Sequence, residues 1–149
     1  MPIVQQVDKD LVAAMKAKEE LKLSVLRMMK SAFKLKQVEL TKPLEDTEAV
    51  AVLRTLVKQR HESVEQFRKG RRDDLADKEE AEIKILESYL PAAPSDAEVE
   101  AAVIAAIIET GAATPKDLGK AMKAVMAKLA GRNVDGRRVN ERVRTKLGA

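Results

Sequence analysis

Apolar residues recur at alternating intervals of three and four through the middle of the chain, and this spacing strongly constrains the fold. The series is clearest over residues 47–69, where it comprises Val50, Leu53, Val57, Arg60, Val64 and Phe67. This period places the side chains along one face of a helix and is typical of the seam of a packed helical hairpin. Arg60 is the charged member of the series, so it either pairs with a carboxylate or extends its guanidinium to solvent.

The composition agrees with an all-α fold. Charged residues make up 35% of the 149 residues, and Phe33, Phe67 and Tyr89 are the only aromatic residues. A core must therefore be built from aliphatic side chains, methionine and alanine, and the dominant residues are good helix formers. Short β-branched runs bounded by turn residues are almost absent, which argues against a sheet.

We predict seven helices, whose ends coincide with capping and breaking residues. They cover approximately residues 3–18, 20–40, 47–69, 72–90, 95–111, 114–131 and 136–147. Ser95 and Glu98 form the Ser-x-x-Glu pattern of a capping box. Thr114 precedes Pro115, which stands at the first helical position, where the missing N–H costs nothing.

Two prolines three residues apart mark a domain boundary. Pro91 and Pro94 cannot continue a helix, and they stiffen the segment that they flank. We therefore predict an N-terminal helical domain of about four helices over residues 1–90, a proline-rich hinge at residues 91–94, and a small C-terminal domain of three helices over residues 95–149.

Positive charge is concentrated at the C-terminal end of the chain. Residues 114–149 contain ten Lys or Arg and three acidic residues, which gives a net charge of +7. The whole chain carries only +4, so residues 1–113 carry −3. A basic, compact helical module suggests a polyanionic partner, and RNA is the first candidate.

A helical wheel separates apolar from basic residues in this module. The apolar face of the sixth helix comprises Leu118, Met122, Val125, Met126 and Leu129. Lys116, Lys120 and Lys123 lie together on the opposite face. The buried stripe of the seventh helix comprises Val139, Val143 and Leu147, and both Arg137 and Arg144 point away from it. Packing the two apolar stripes together would leave the cations outside.

From these cations we predict a nucleic-acid-binding surface. Its members are Lys116, Lys120, Lys123, Arg132, Arg137 and Arg138. Arginine can bind a phosphate through two hydrogen bonds, whereas lysine acts as a point charge. No aromatic residues are interleaved with these cations, so recognition of RNA shape or backbone is favoured over base reading. The alternative interpretation is an ordinary solvated helix face.

The sequence offers no catalytic constellation. His61 is the only histidine and cysteine is absent, so we expect no catalytic residues, no metal site and no cofactor. No apolar run is long enough to span a membrane, and the N-terminus lacks the pattern of a signal peptide. Together with the absence of cysteine, these features predict a cytoplasmic location and no membrane partner.

The C-terminal module also carries a recognisable sequence pattern. It consists of Pro115-Lys116-Asp117-Leu118-Gly119-Lys120, Met122, Val125-Met126, Lys128, Gly131-Arg132, Asp135-Gly136, Val139-Asn140-Glu141 and Val143. With upstream matches such as Leu26-Arg27-Met28, Gln66-Phe67 and Tyr89-Leu90-Pro91, the chain resembles the YqeY-like family over nearly its whole length. That family shares its C-terminal module with the tail of the B subunit of the glutamine-dependent aminoacyl-tRNA amidotransferase.

The resemblance implies an all-helical fold and an RNA-binding C-terminal module, because the related tail contacts tRNA. It implies a non-catalytic accessory protein that binds tRNA or another structured RNA and is linked to tRNA-dependent amidation or aminoacylation. One alternative is a protein-interaction module that docks on a synthetase or amidotransferase subunit. Another is a carbon–nitrogen ligase with glutamine as amide donor, which only the family label supports.

Limited proteolysis tests the predicted boundary. Because the segment at residues 91–94 cannot be helical, we expect the first cleavage there, giving one fragment that ends near Leu90 and one that begins near Ser95. Mass spectrometry of the early digest identifies both ends. Early cleavage confined to other loops, with the two halves still joined, would contradict the prediction.

Overall fold

The computed structural model describes residues 1–148, which form seven α-helices and one short 3-10 helix and contain no β-strand. The α-helices are α1 Ile3–Ala17, α2 Glu20–Leu40, α3 Asp46–Lys69, α4 Asp73–Glu87, α5 Asp96–Thr110, α6 Leu118–Lys128 and α7 Gly136–Lys146, and the 3-10 helix is Pro115–Asp117. The all-α prediction is confirmed. None of the helices in these 148 residues has the length and apolar character needed to cross a membrane.

The chain divides into two compact units, an N-terminal unit of residues 1–90 and a C-terminal unit from residue 91 onward. In the N-terminal unit α1 packs mainly on α2, and α3 packs mainly on α4. Its largest fully buried side chains are Val7, Val25, Leu26, Met29, Phe33, Leu53 and Leu86. Each such side chain contributes about 1.5–3 kcal/mol through removal of apolar surface from water.

Arg60 lies between α3 and α4, as the charged member of the apolar seam. Its Nε lies 3.0 Å from Oε2 of Glu82 and 3.7 Å from Oε2 of Glu79. Its guanidinium also contacts Sδ of Met28 in α2. Only 16% of the Arg60 side chain and 12% of the Glu82 side chain are exposed. Arg60 therefore pairs with carboxylates rather than extending to solvent, and this pairing favours one register of the α3–α4 hairpin.

Several helix ends in this unit differ from the prediction by one residue, and the end of α4 differs by three. The α3 helix begins at Asp46 with Glu45 as its N-cap, because Glu45 and Glu48 satisfy each other's backbone N–H groups in a capping box. The α4 helix ends at Glu87 rather than at residue 90. Beyond its end, the hydroxyl of Tyr89 donates a 2.6 Å hydrogen bond to Asp10 in α1. This hydrogen bond holds the segment after α4 against α1.

The C-terminal unit packs α5, α6 and α7 around a second aliphatic core. Its buried side chains are Val99, Ala102, Val103, Ala106, Ala112, Ala121, Val125, Leu129, Val134, Val139, Val143 and Leu147. The hydroxyl of Ser95 caps α5 by accepting a hydrogen bond from the N–H of Glu98, as predicted. Gly111 ends α5 in the left-handed region at φ +67°, a conformation that glycine adopts without steric cost.

The sixth helix differs from its prediction in length and in orientation. It begins at Leu118, after the 3-10 helix, and ends at Lys128 rather than at residue 131. Met126, assigned to the apolar face from the sequence, is 37% exposed, whereas Ala121 is fully buried. The buried face of α6 is therefore centred closer to Ala121 than the helical wheel predicts. The small alanine side chain allows close approach of the neighbouring backbone.

We predict that Arg60→Ala destabilises the protein by about 2 kcal/mol, because it leaves Glu82 largely buried without its partner. Urea unfolding followed by circular dichroism measures the free energy of unfolding. The matched control Arg27→Ala removes an exposed arginine of α2 and should change that energy by no more than about 0.5 kcal/mol. Equal effects of the two substitutions would show that the Arg60 pairing is not stabilising.

Candidate nucleic-acid interface

Acidic residues of α5 pair with half of the ten cations in residues 114–149. The pairs are Asp96–Arg138, Asp96–Arg142, Glu98–Arg132, Glu100–Arg142, Glu100–Lys146 and Glu109–Lys128. These four acidic residues precede residue 114, so the C-terminal unit as a whole contains ten basic and seven acidic residues and carries a net charge of +3. The high positive charge of the C-terminal segment is therefore partly neutralised within its own fold.

Two of the six predicted binding residues belong to these ion pairs. Arg132 donates from Nη2 to Glu98 at 2.8 Å and from Nε to the carbonyl of Ala92 at 3.3 Å. The guanidinium of Arg138 contacts the carboxylate of Asp96. Both arginines thus hold α5 against the rest of the C-terminal unit. The structure does not place them with the unpaired cations.

The other four predicted residues remain unpaired and exposed. Within the described part of the chain, no carboxylate forms an ion pair with Lys116, Lys120, Lys123 or Arg137. Lys120 and Lys123 lie on the side of α6 opposite the buried Ala121 and Val125, as the helical wheel predicts. These lysines are therefore available to a ligand.

Arg144 is a fifth exposed cation without an ion pair, and the predicted set of binding residues does not include it. It follows Arg137 by seven residues, or two helical turns, so both side chains project from the same face of α7. Arg144 is exposed and forms no ion pair among the described residues. Its position away from the apolar stripe was the sequence signal that could have identified it. We call the set Lys116, Lys120, Lys123, Arg137 and Arg144 the free basic surface.

Asp117 fixes the turn that carries Lys116. Its Oδ2 accepts hydrogen bonds from the backbone N–H groups of Ala113 at 2.9 Å and Thr114 at 3.2 Å. These two hydrogen bonds are the main reason that the pKa of Asp117 is lowered, and the positive charge of Lys120 lowers it further. The carboxylate is therefore ionised at neutral pH and is held by the backbone rather than by a direct ion pair with the lysines.

The described residues do not assemble a metal-binding group of three histidine, aspartate or glutamate side chains. His61 is exposed on α3, in the N-terminal unit. Arg144 and Leu147 of α7, with Pro115 of the 3-10 helix and Leu118 of α6, line a small open cavity of about 190 Å³. The cavity shows that Arg144 lies beside the start of α6.

Fold and surface together define an all-helical protein with a basic helical module at its C-terminal end. The family model described as Yqey-like protein matches residues 4–147. The chain therefore belongs to the YqeY-like family, and the resemblance identified from the sequence is confirmed.

Curated relatives of the chain are fungal proteins named altered inheritance of mitochondria protein 41, mitochondrial. The protein of Lachancea thermotolerans is 35% identical over 115 residues, which cover 75% of this chain and 62% of the relative. The protein of Kluyveromyces lactis is 38% identical over 104 residues, or 68% of this chain and 56% of the relative. The protein of Pyrenophora tritici-repentis is 26% identical over 152 residues, or 99% of this chain and 82% of the relative.

These comparisons bear on two further points. The chain spans about 60% of the length of the first two relatives. The predicted cytoplasmic location is contradicted, because these relatives are named as mitochondrial proteins. That prediction relied on missing cysteines and a missing signal-peptide pattern, and neither feature distinguishes one reducing compartment from another.

The Glu100 ion pairs predict an acid-sensitive C-terminal unit. A hydrogen bond from Lys146, and then Arg142, lowers the pKa of Glu100 below its ordinary value of 4.5. The stabilisation is therefore complete above about pH 4.5 and is lost as the pH falls through the lowered pKa of the folded state. We expect Glu100→Gln to lower the Tm at pH 7 and to lose less Tm on acidification than the parent.

Thermal unfolding at several pH values between neutral and strongly acidic measures this difference. The control is Glu141→Gln, which changes an exposed glutamate of α7 outside the α5 ion pairs. If Glu100→Gln and Glu141→Gln follow the same Tm profile, the α5–α7 ion pairs do not contribute to folding stability.

Proposed function

We propose that this protein is a non-catalytic accessory protein that binds structured RNA, with tRNA as the first candidate, through the free basic surface. One observation carries the proposal. The acids of α5 pair with five cations of the C-terminal unit, and five other cations on α6, α7 and the 3-10 helix are left without carboxylate partners among the described residues. Several unpaired, exposed cations on one small folded unit suit a polyanion.

The chemistry of the free basic surface favours contacts with the RNA backbone. Lysine binds phosphate as a point charge, whereas arginine can bind it through two hydrogen bonds. The three aromatic residues of the chain all lie in the N-terminal unit, so none is available on this surface for base stacking. Phosphate contacts position a protein on RNA without reading its sequence, which fits an accessory role.

Membership of the YqeY-like family supports tRNA as the RNA to be tested first. The C-terminal module resembles the tail of the amidotransferase B subunit, and that tail contacts tRNA. The proposed role is therefore linked to tRNA-dependent amidation or aminoacylation. The relatives' name refers to the inheritance of mitochondria, and it specifies no ligand.

A salt titration of tRNA binding tests the proposal. If about five phosphates are neutralised, the plot of log K against log salt should have a slope of about −4. The double variant Lys120→Ala/Lys123→Ala should make this slope less negative by about 1–2. It should also weaken the binding of all RNAs to the same extent. The control variant Lys58→Ala/Lys78→Ala removes two exposed lysines of the N-terminal unit, with the same change in net charge, and should bind like the parent.

Three outcomes would contradict the proposal in different ways. If the parent does not bind tRNA at low salt, RNA binding fails and the protein-interaction alternative replaces it. If the two double variants bind equally well, RNA is bound elsewhere on the chain. Release of ammonia from glutamine by the purified protein would overturn the non-catalytic role and favour the ligase alternative.

A further inference from the structure

The cavity beside the free basic surface differs chemically from the surface itself. Three of its four lining residues, Pro115, Leu118 and Leu147, are apolar, and the fourth is Arg144. Leu147 is 5% exposed and belongs to the core of the C-terminal unit, so one side of the cavity is formed by a packed apolar side chain. Lys116 adjoins the cavity in sequence, directly after Pro115.

The lining and the volume of the cavity restrict what it can hold. Apart from the Arg144 guanidinium, the lining side chains are apolar and offer a phosphate no further donor. Cavities that enclose a whole small molecule measure roughly 300–1,000 Å³, which exceeds the volume of about 190 Å³ found here. A single flat ring with an apolar face and a polar edge suits the cavity better.

We propose that the cavity receives one unstacked nucleobase of the bound RNA. One face of the base lies on Pro115 and Leu118, and the guanidinium plane of Arg144 stacks against the base. Stacking on an arginine plane is an established mode of holding an unpaired base. Lys116, next to Pro115, then neutralises a phosphate adjoining that nucleotide. This inference rests on the proposed function, since it names the class of RNA that the same surface selects.

The cavity therefore adds one base contact to a surface that otherwise contacts phosphates. A fully paired duplex keeps its bases stacked inside, and extruding one costs a few kcal/mol. A loop or bulge presents an unstacked base without that cost. The preferred ligand is accordingly a structured RNA with an exposed unpaired nucleotide, rather than a continuous duplex.

Arg144→Lys tests this contact, because it keeps the positive charge and removes the planar group. The two probes are a hairpin RNA with an open loop and a blunt duplex with the same number of phosphates. The parent should bind the hairpin more tightly than the duplex. Arg144→Lys should bind the hairpin about fivefold more weakly, near the lower end of what one stacked base contributes, and should lose less affinity for the duplex. The salt slope should stay the same, since no charge is lost.

The matched control is Arg27→Lys, the same substitution at an exposed arginine of α2 outside the free basic surface. It should leave the preference for the hairpin unchanged. Methyl NMR gives an independent measurement: the Leu118 and Leu147 methyl signals should shift with the hairpin and not with the duplex. The cavity does not hold a base if Arg144→Lys weakens both RNAs equally or neither, or if the methyl signals respond alike to both.

Failure of this inference is distinguishable from failure of the proposed function. If the parent binds both RNAs with a salt slope of about −4 but with equal affinity, the proposed RNA binding stands and the nucleobase contact is wrong. If the parent binds neither RNA at low salt, the proposed function is wrong and this inference is wrong with it.

Discussion

The C-terminal unit depends on ion pairs between the acids of α5 and the cations that face them. Asp96, Glu98 and Glu100 meet Arg132 and the row of Arg138, Arg142 and Lys146, which recur every four residues along one side of α7. Exposed ion pairs are individually weak, but residues shared between several pairs form a network. This network also decides which cations remain unpaired, so the same interactions link α5 to α7 and leave the cations of the proposed binding surface free.

The N-terminal unit uses charge in a different way. Arg60 and Glu82 are largely removed from water, whereas the ion pairs of Arg68 with α4 lie at the more exposed end of the same interface. Breaking such a pair is costly, whereas aliphatic packing tolerates sliding, so the pair favours one alignment of α3 with α4. Phe33 is the single buried aromatic residue of this core. The Arg60–Glu82 pair therefore helps to fix how the helices align.

Under the proposed function, the free basic surface combines two kinds of recognition. The lysines of α6 would supply long-range attraction that depends on salt and not on sequence. The proposed base contact in the cavity beside Arg144 is short-range and limited in volume, which suits an unstacked base. A protein built in this way would distinguish RNA by shape and by exposed nucleotides. Such discrimination suits an accessory role beside an enzyme that performs the chemistry.

The sequence by itself determined the helical class, most helix ends, the apolar stripes and the family, because these follow from local periodicity, capping residues and motifs. It could also place Lys116, Lys120, Lys123 and Arg137 outside the core, since a helical wheel needs only one helix. Only the tertiary structure decided that Arg132 and Arg138 pair with α5 and that Arg144 borders the cavity. Those outcomes depend on contacts between residues about 30 to 40 positions apart, which no local pattern specifies.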